Sequence, residues 1–313
     1  MNKVLIADSV SSAVSEVFDK NGIAYDTKIG LSEDELATEI TEYSGLIVRS
    51  AVTVTEKIIN SASNLKVIGR PGVGVDNVDL KAATNNGIVV MNTPLGNVQA
   101  TAELTFGIMH SLMRKISNAN QSMHQKKWEK KKFIGNEMYG KTIGIIGFGN
   151  IGKKVSQIAH AYGMNVLVYS ASISPEDEKK FNVTNQSIDD ILEGADIITF
   201  HNKLSENSKY LINSNAITKM KKNVIIINCA RGGLVNEKDI KEALEKGNIA
   251  GYGCDVYENE PEQDSIFSSM DNVVMTPHIG ASTIEAQEKV AYQIAEQIVE
   301  FLKNNKIINQ VNK

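Results

Sequence analysis

Gly147-Phe148-Gly149-Asn150-Ile151-Gly152 has the glycine spacing of a turn that receives a pyrophosphate. In such a turn Gly147 makes the tight bend, Gly149 lets the backbone approach the phosphates, and Gly152 lets the following helix pack closely. The unpaired N–H groups at the helix start then face the anion. Glycine-rich turns also arise for structural reasons alone, so the flanking residues decide. Thr142–Ile146 reads as a buried strand, a helix follows with Val155, Ile158, Ala159 and Tyr162 on one face, and Asn165–Tyr169 reads as a second strand. A complete strand–turn–helix–strand unit marks a dinucleotide site. The acid expected at the end of the second strand, where it binds the adenosine ribose, is replaced by Ser170.

Hydride chemistry on such a fold needs three further parts: a cation to hold a carboxylate and polarise the reacting oxygen, an acid/base for the hydroxyl proton, and a group that tunes that acid/base. Histidine suits the second role, with an ordinary pKa of about 6.5. Of the five histidines, His110 lies in an apolar helical stretch and reads as a core or interface residue, while His124 and His160 sit in polar helical contexts. His201 follows an apolar run, at the edge where α/β ligands bind, and is a candidate to line a cofactor site. His278, in Thr276-Pro277-His278-Ile279-Gly280, is the best acid/base candidate, a structural role being the other reading. Arg231, in Asn228-Cys229-Ala230-Arg231-Gly232-Gly233, is the candidate cation, or else one half of an ion pair. Asp255 and Glu260 supply carboxylates nearby, although each also suits a turn cap.

These residues need strand ends to hold them. Val4–Ala7, Gly45–Val48, Lys66–Ile68 and Ile88–Met91 read as strands, separated by helical stretches at Ser9–Asn21, Ser32–Glu42 and Thr55–Ser61, with Ser32 and Glu35 forming a capping box. One long helix is expected from Val98 to about His124, carrying Ala100, Leu104, Ile108, Leu112 and Ile116 on its apolar face. Beyond the glycine turn, strands are expected at Asp196–Phe200, Val224–Asn228, Ile249–Val256 and Val273–Thr276, and helices at Ile212–Lys219, Glu237–Glu245 and Ile284–Lys303. Strands alternating with helices predict two α/β units with parallel sheets, the last helix returning to the first unit.

Bulk properties narrow the class. The 313 residues suffice for about two domains, and 42% apolar content supports packed cores. A net charge of −4 gives no reason to expect nucleic acid. Cys229 and Cys254 are too few for a disulfide framework and share no metal-like spacing, which fits a reducing compartment and no metal. The opening apolar run is too short for a signal peptide and no run is long enough for a membrane span, so a cytoplasmic location is expected. The run Lys126-Lys127-Trp128-Glu129-Lys130-Lys131-Lys132 reads either as a solvated face or as a patch for an anionic group.

Several long stretches in order carry a resemblance: Gly74-Val75-Asp76-Asn77-Val78-Asp79, Met91-Asn92-Thr93-Pro94, the glycine turn, Asn228 to Gly233, and Pro277-His278-Ile279-Gly280-Ala281-Ser282-Thr283. Nearly end to end, the chain resembles the D-isomer-specific 2-hydroxyacid dehydrogenases. The resemblance implies two Rossmann-like or flavodoxin-like domains with parallel sheets and a cleft between them. Residues 1–96 with 286–313 would bind substrate and residues 97–285 the dinucleotide, in a homodimer joined through the cofactor domain. It implies a catalytic trio in which His278 takes the hydroxyl proton, Glu260 tunes the imidazole, and Arg231 binds the carboxylate and polarises the oxygen. Asn150, Ile151, His201, Cys229, Ala230, Asp255, His278 and Gly280 would join the three glycines and Ser170 around NAD. The backbone of Val73 and Gly74 would hold the carboxylate. Members acting on a phosphorylated hydroxy acid bind the phosphate with basic groups, and Arg49, Arg70 and Lys130 match such positions, Lys130 reaching across the dimer; Ser50, beside Arg49, would also bind substrate.

The activity so implied is NAD-linked oxidation of 3-phospho-D-glycerate to 3-phosphooxypyruvate. The alternatives are a glyoxylate or hydroxypyruvate reductase using NADPH, and, in another class, a dinucleotide-sensing binding protein. Two departures bear on the cofactor. Ser170 removes the acid that excludes NADP, and Asn202-Lys203-Leu204 after His201 places a lysine near the adenosine end. The chain stops soon after its last helix, so the regulatory domain of longer members, and serine feedback through it, are not expected.

Overall fold

The alternating apolar and amphipathic stretches fold into two α/β units, and the computed structural model describes residues 2–312. One unit comprises the residues up to Asn97 together with those from Ala281 onward; the other is Val98–Gly280. The first unit holds five strands, β1 (Lys3–Ile6), β2 (Ala24–Thr27), β3 (Gly45–Ile47), β4 (Val67–Arg70) and β5 (Val89–Asn92), all parallel, in the order β2-β1-β3-β4-β5. This is the flavodoxin-like order. Along β1, Val4 and Ile6 enter one core while Leu5 and Ala7 enter another, which is why these strands read as unbroken apolar runs. The helix Ile284–Asn304 is capped by Thr283 and lies so close to β4 that a Cβ on Gly69 would stand 2.7 Å from Ile298.

The second unit holds β6 (Thr142–Ile146), β7 (Asn165–Tyr169), β8 (Thr184–Asn185), β9 (Ile197–Phe200), β10 (Val224–Asn228), β11 (Ile249–Cys254) and β12 (Val273–Met275). Its sheet runs β12-β11-β10-β9-β6-β7-β8, all parallel, the Rossmann order extended by one strand. The order reverses at β6, so the crevice for a ligand lies where β6 and β9 end.

The structure corrects several sequence readings. The long helix is two helices, Val98–Arg114 and Ile116–His124, because Lys115 adopts a left-handed φ of 53°. After that break Ile116 is exposed rather than packed. Strand β2 escaped notice because it lies at the sheet edge, with no residue of Ala-Tyr-Asp-Thr buried and hence no apolar run. The short helices Leu80–Asn85, Pro175–Phe181 and Ile188–Gly194 also went unread; each is too short for a clear 3.6-residue period. The Ser32–Glu35 capping box is present. Among the described residues, no helix is long and apolar enough to cross a membrane.

Candidate active site

The glycine turn has the geometry its residue types imply. Gly147 has φ 99°, and a Cβ there would stand 2.5 Å from the Asn202 nitrogen and 2.6 Å from the His201 carbonyl carbon. A Cβ on Gly152 would stand 2.1 Å from the Gly147 oxygen, so the helix Asn150–Ala161 approaches this closely only without a side chain. Gly149 occupies the cap position of that helix, where it has no side chain to satisfy the first N–H groups, and a Cβ on it would meet nothing within 4 Å. A helix start with no capping side chain and open space at Gly149 fits an anion such as a pyrophosphate. Ser170 follows β7 with its backbone clamped by Asn185.

His201 lies against this turn. Its Nε2 meets the Thr199 hydroxyl at 3.1 Å, and Nδ1 is buried without a partner. Burial pushes its pKa down to about 3, so the ring is neutral and no acid/base at neutral pH. Cys229 is likewise inert, its thiol pushed up to about 12 first by burial and then by the charge of Asp255. Cys229 and Ala230 are both buried in the turn after β10, next to Arg231.

His278 and Glu260 form a couple. Nδ1 of His278 lies 2.6 Å from Oε2 of Glu260, and the other carboxylate oxygen accepts the Tyr257 N–H at 3.1 Å. The hydrogen bond to Glu260 raises the pKa of His278 above its ordinary value, against burial and the Arg231 charge, which act downward. Burial works to raise the pKa of Glu260, but the His278 contact, the Tyr257 amide and Arg231 outweigh it and hold the carboxyl below its ordinary value. A carboxylate on Nδ1 fixes the ring and leaves Nε2 as the nitrogen that exchanges a proton.

The backbone of His278 is in the left-handed region at φ 53°, a conformation that costs a non-glycine residue free energy and persists only where neighbours enforce it. Asp255 is the neighbour. Its carboxylate, 1% exposed as a residue, accepts the Thr276 hydroxyl at 2.6 Å and the amides of Ile279 and Gly280 at 2.7 Å each. It thus pins the turn on both sides of His278. Burial raises the Asp255 pKa, and these donors pull it only partly back.

Arg231 is placed by residues that sequence reading passed over. Asn228, fully buried at the end of β10, accepts the Ala230 N–H at 3.1 Å and donates to the Arg231 carbonyl at 2.8 Å. A Cβ on Gly232 would stand 1.9 Å from the Tyr257 carbonyl, so this glycine admits the loop that carries Glu260. A buried asparagine at a strand end and a Gly-Gly pair after it were the available signals.

The remaining candidates lie in the first unit, except Lys130, an exposed residue at the start of the short helix Lys130–Phe133 in the second. Asp8 accepts the Arg49 and Ala51 amides, and Asn77 donates to the Arg49 carbonyl at 2.5 Å, so the turn holding Arg49 and the exposed Ser50 is fixed. Arg49 lines a cavity of about 480 Å³ with Ser11, Ser282, Thr283 and Gln287. The Arg70 guanidinium lies against Gly72, where a Cβ would stand 2.0 Å from Nη1. The turn through Val73 and Gly74 is held by Asn92, which donates to the Val73 carbonyl at 2.6 Å, and by Thr93, bonded to both the N–H and the carbonyl of Gly72.

Comparison with known proteins gives a consistent picture. A family model described as "D-isomer specific 2-hydroxyacid dehydrogenase, NAD binding domain" matches residues 106–280. The chain is 42% identical to D-3-phosphoglycerate dehydrogenase of Bacillus subtilis, over 100% of this chain and 59% of that protein. It therefore spans less than two thirds of that relative's length. Among solved structures it is similar to the NAD+-bound 3-phosphoglycerate dehydrogenase of Entamoeba histolytica, with TM-score 0.85 and 28% identity over 100% of this chain and 99% of that one. It is similar also to a glyoxylate reductase from Paecilomyes thermophila, with TM-score 0.91 and 26% identity over 99% and 98%.

Proposed function

The chain belongs to the D-isomer specific 2-hydroxyacid dehydrogenase family, and from that premise we propose that it oxidises 3-phospho-D-glycerate to 3-phosphooxypyruvate with NAD, a step toward L-serine. The observation that carries the reading is the His278–Glu260 couple, 2.6 Å apart, with the charge of Arg231 acting on both. Gly147, Gly149 and the helix start at Asn150 would hold the pyrophosphate. When bound, the nicotinamide supplies the acceptor for the hydride that leaves the substrate's C2.

The chain's own residues handle the charge and the proton. Arg231 binds the substrate carboxylate and polarises the C2 oxygen, lowering the cost of removing its proton. His278 takes that proton on Nε2 as the C–O bond becomes a carbonyl. Glu260 stabilises the resulting imidazolium through Nδ1 and keeps the ring in one orientation. Asp255 acts through the turn, holding His278 in its left-handed conformation. Arg49, Arg70 and Lys130 carry the positive charge for the substrate phosphate, and the amides of Val73 and Gly74 assist with the carboxylate. In the reverse direction each step inverts, with protonated His278 as the acid.

The test is the nicotinamide absorbance of purified protein mixed with 3-phospho-D-glycerate and NAD, or with 3-phosphooxypyruvate and NADH. The reading requires a substrate-dependent change that exceeds the change with glyoxylate or hydroxypyruvate. A larger rate on glyoxylate would replace it with the reductase reading, and no change on any of these substrates would sink both. A homodimer is part of the same proposal. Trp128, Ile134 and Tyr139 of the second unit are each more than three-quarters exposed, an unusual display of large apolar side chains. Light scattering should give twice the 34.2 kDa chain mass, and a monomer at assay concentration would contradict it.

A further inference from the structure

At the end of β7 a carboxylate ordinarily takes the ribose 2′-hydroxyl and repels a 2′-phosphate. Here Ser170 stands at that place. The Asn185 side chain holds its backbone from both directions, accepting the Ser170 N–H at 3.0 Å and donating to the Ser170 carbonyl at 3.1 Å. The Ser170 hydroxyl accepts the Ser172 N–H at 3.4 Å, a long contact that leaves room for a better donor or acceptor.

Two acids of the helix that follows, Pro175–Phe181, are already engaged. Asp177 is paired with Lys153 at 2.7 Å, and Glu178 accepts the Asn185 N–H at 2.6 Å. The other side of the glycine turn carries a lysine. The Gly147 N–H donates to the Tyr169 carbonyl at 2.8 Å, and a Cβ on Gly147 would touch Asn202, so the ends of β7 and β9 flank one turn. Lys203 follows directly on β9's side; it is exposed and, among the described residues, has no ion pair.

We infer that the adenosine end of this site accepts a 2′-phosphate, so that the chain binds NADP as well as NAD, with Ser170 permitting the phosphate and Lys203 attracting it. The inference rests on the nicotinamide-dinucleotide reading of the glycine turn. Ser170 acts by the absence of a repelling charge, which is the larger effect. Lys203 is solvent-exposed, so its attraction is modest and weakens with salt.

Calorimetric titration of the full chain with NAD and with NADP, without substrate, tests this by affinity alone. The expected result is a dissociation constant for NADP within about tenfold of that for NAD. Ser170→Asp should weaken NADP by at least about tenfold while NAD holds or tightens. Lys203→Ala should weaken NADP about threefold, with less salt dependence than the unaltered chain. NAD binding reports that each variant is folded. NADP binding more than about tenfold weaker than NAD in the unaltered chain overturns the inference, as does an unchanged NADP-to-NAD ratio in Ser170→Asp. Binding of neither dinucleotide would overturn the dinucleotide reading itself, a result distinct from simple NAD preference.

Discussion

The two sheets present their functional candidates in different ways. In the second unit two candidates are joined side chain to side chain, Glu260 holding the His278 ring, and Asp255 at the end of β11 holds the turn around it. In the first unit Arg49, Ser50, Val73 and Gly74 sit on turns whose backbones are tied down by Asp8, Asn77, Asn92 and Thr93. The first arrangement fixes a protonation state, the second a shape with positive charge beside it. Proton transfer is steeply sensitive to geometry and pKa, whereas recognition of an anion tolerates longer reach. That difference predicts large losses in turnover from one unit and changes in apparent affinity from the other.

The largest effect should come from His278. His278→Gln removes the proposed acid/base while keeping the side chain's size, and turnover should fall by about 10²–10⁴-fold with NAD binding preserved. A variant retaining a tenth of the activity would remove histidine from the proton step. Gly232→Ala comes next. Its new Cβ would collide with the Tyr257 backbone, which cannot yield as a flexible side chain would. The loop bearing Glu260 must then move, so turnover should drop by at least tenfold and unfolding free energy by about 1–3 kcal/mol. Thermal melting and steady-state rates measure the two together, and unaltered values for both would show that the loop position does not matter.

Glu260→Gln gives a smaller but more diagnostic change. Glu260 raises the His278 pKa by its hydrogen bond and its charge, so the folded value lies above the ordinary one. Oxidation needs the unprotonated ring, and its kcat/KM should therefore rise with pH through that raised value. Reduction needs the protonated ring and should fall through the same value. Replacing the carboxylate by an amide removes the largest upward influence and leaves only the Asp255 charge acting upward, while burial and Arg231 continue to act downward, so both midpoints must move to lower pH. A midpoint that stays in place would mean that the couple does not set the protonation of the catalytic group.

These predictions also mark what could be read before the structure. The glycine turn was legible because each of its steric demands has only one residue type that meets it. Arg231, Glu260 and His278 stood out as charged or titratable groups in turns after apolar runs. The supports did not. Asn185 and Asn228 act through bonds to backbone groups that the fold brings alongside, and an asparagine near a turn reads equally as a local cap; Asp255 was legible as a carboxylate at a strand end, but not its hold on the His278 turn. The helix break was hidden for another reason. Lys115 reverses its φ without a glycine or proline to announce it, while the apolar spacing before and after is nearly continuous.

The smallest expected effect lies in the first unit and completes the contrast. Arg49 is half-buried, its backbone fixed by Asp8 and its guanidinium donating to the Ser9 carbonyl at 3.1 Å, so its charge is held near one place without being neutralised by a carboxylate in that contact. A charge-assisted hydrogen bond to phosphate contributes about 1.5–3 kcal/mol, which corresponds to roughly 10–100-fold in affinity. Other basic groups share the load, so Arg49→Ala should sit at the lower end, raising KM for 3-phospho-D-glycerate about tenfold with kcat nearly unchanged. The same variant should leave unphosphorylated D-glycerate untouched, because that substrate has no group for Arg49 to hold. An equal loss on both substrates would assign Arg49 to the carboxylate or to the fold, and a loss in kcat alone would erase the division between a sheet that recognises and a sheet that reacts.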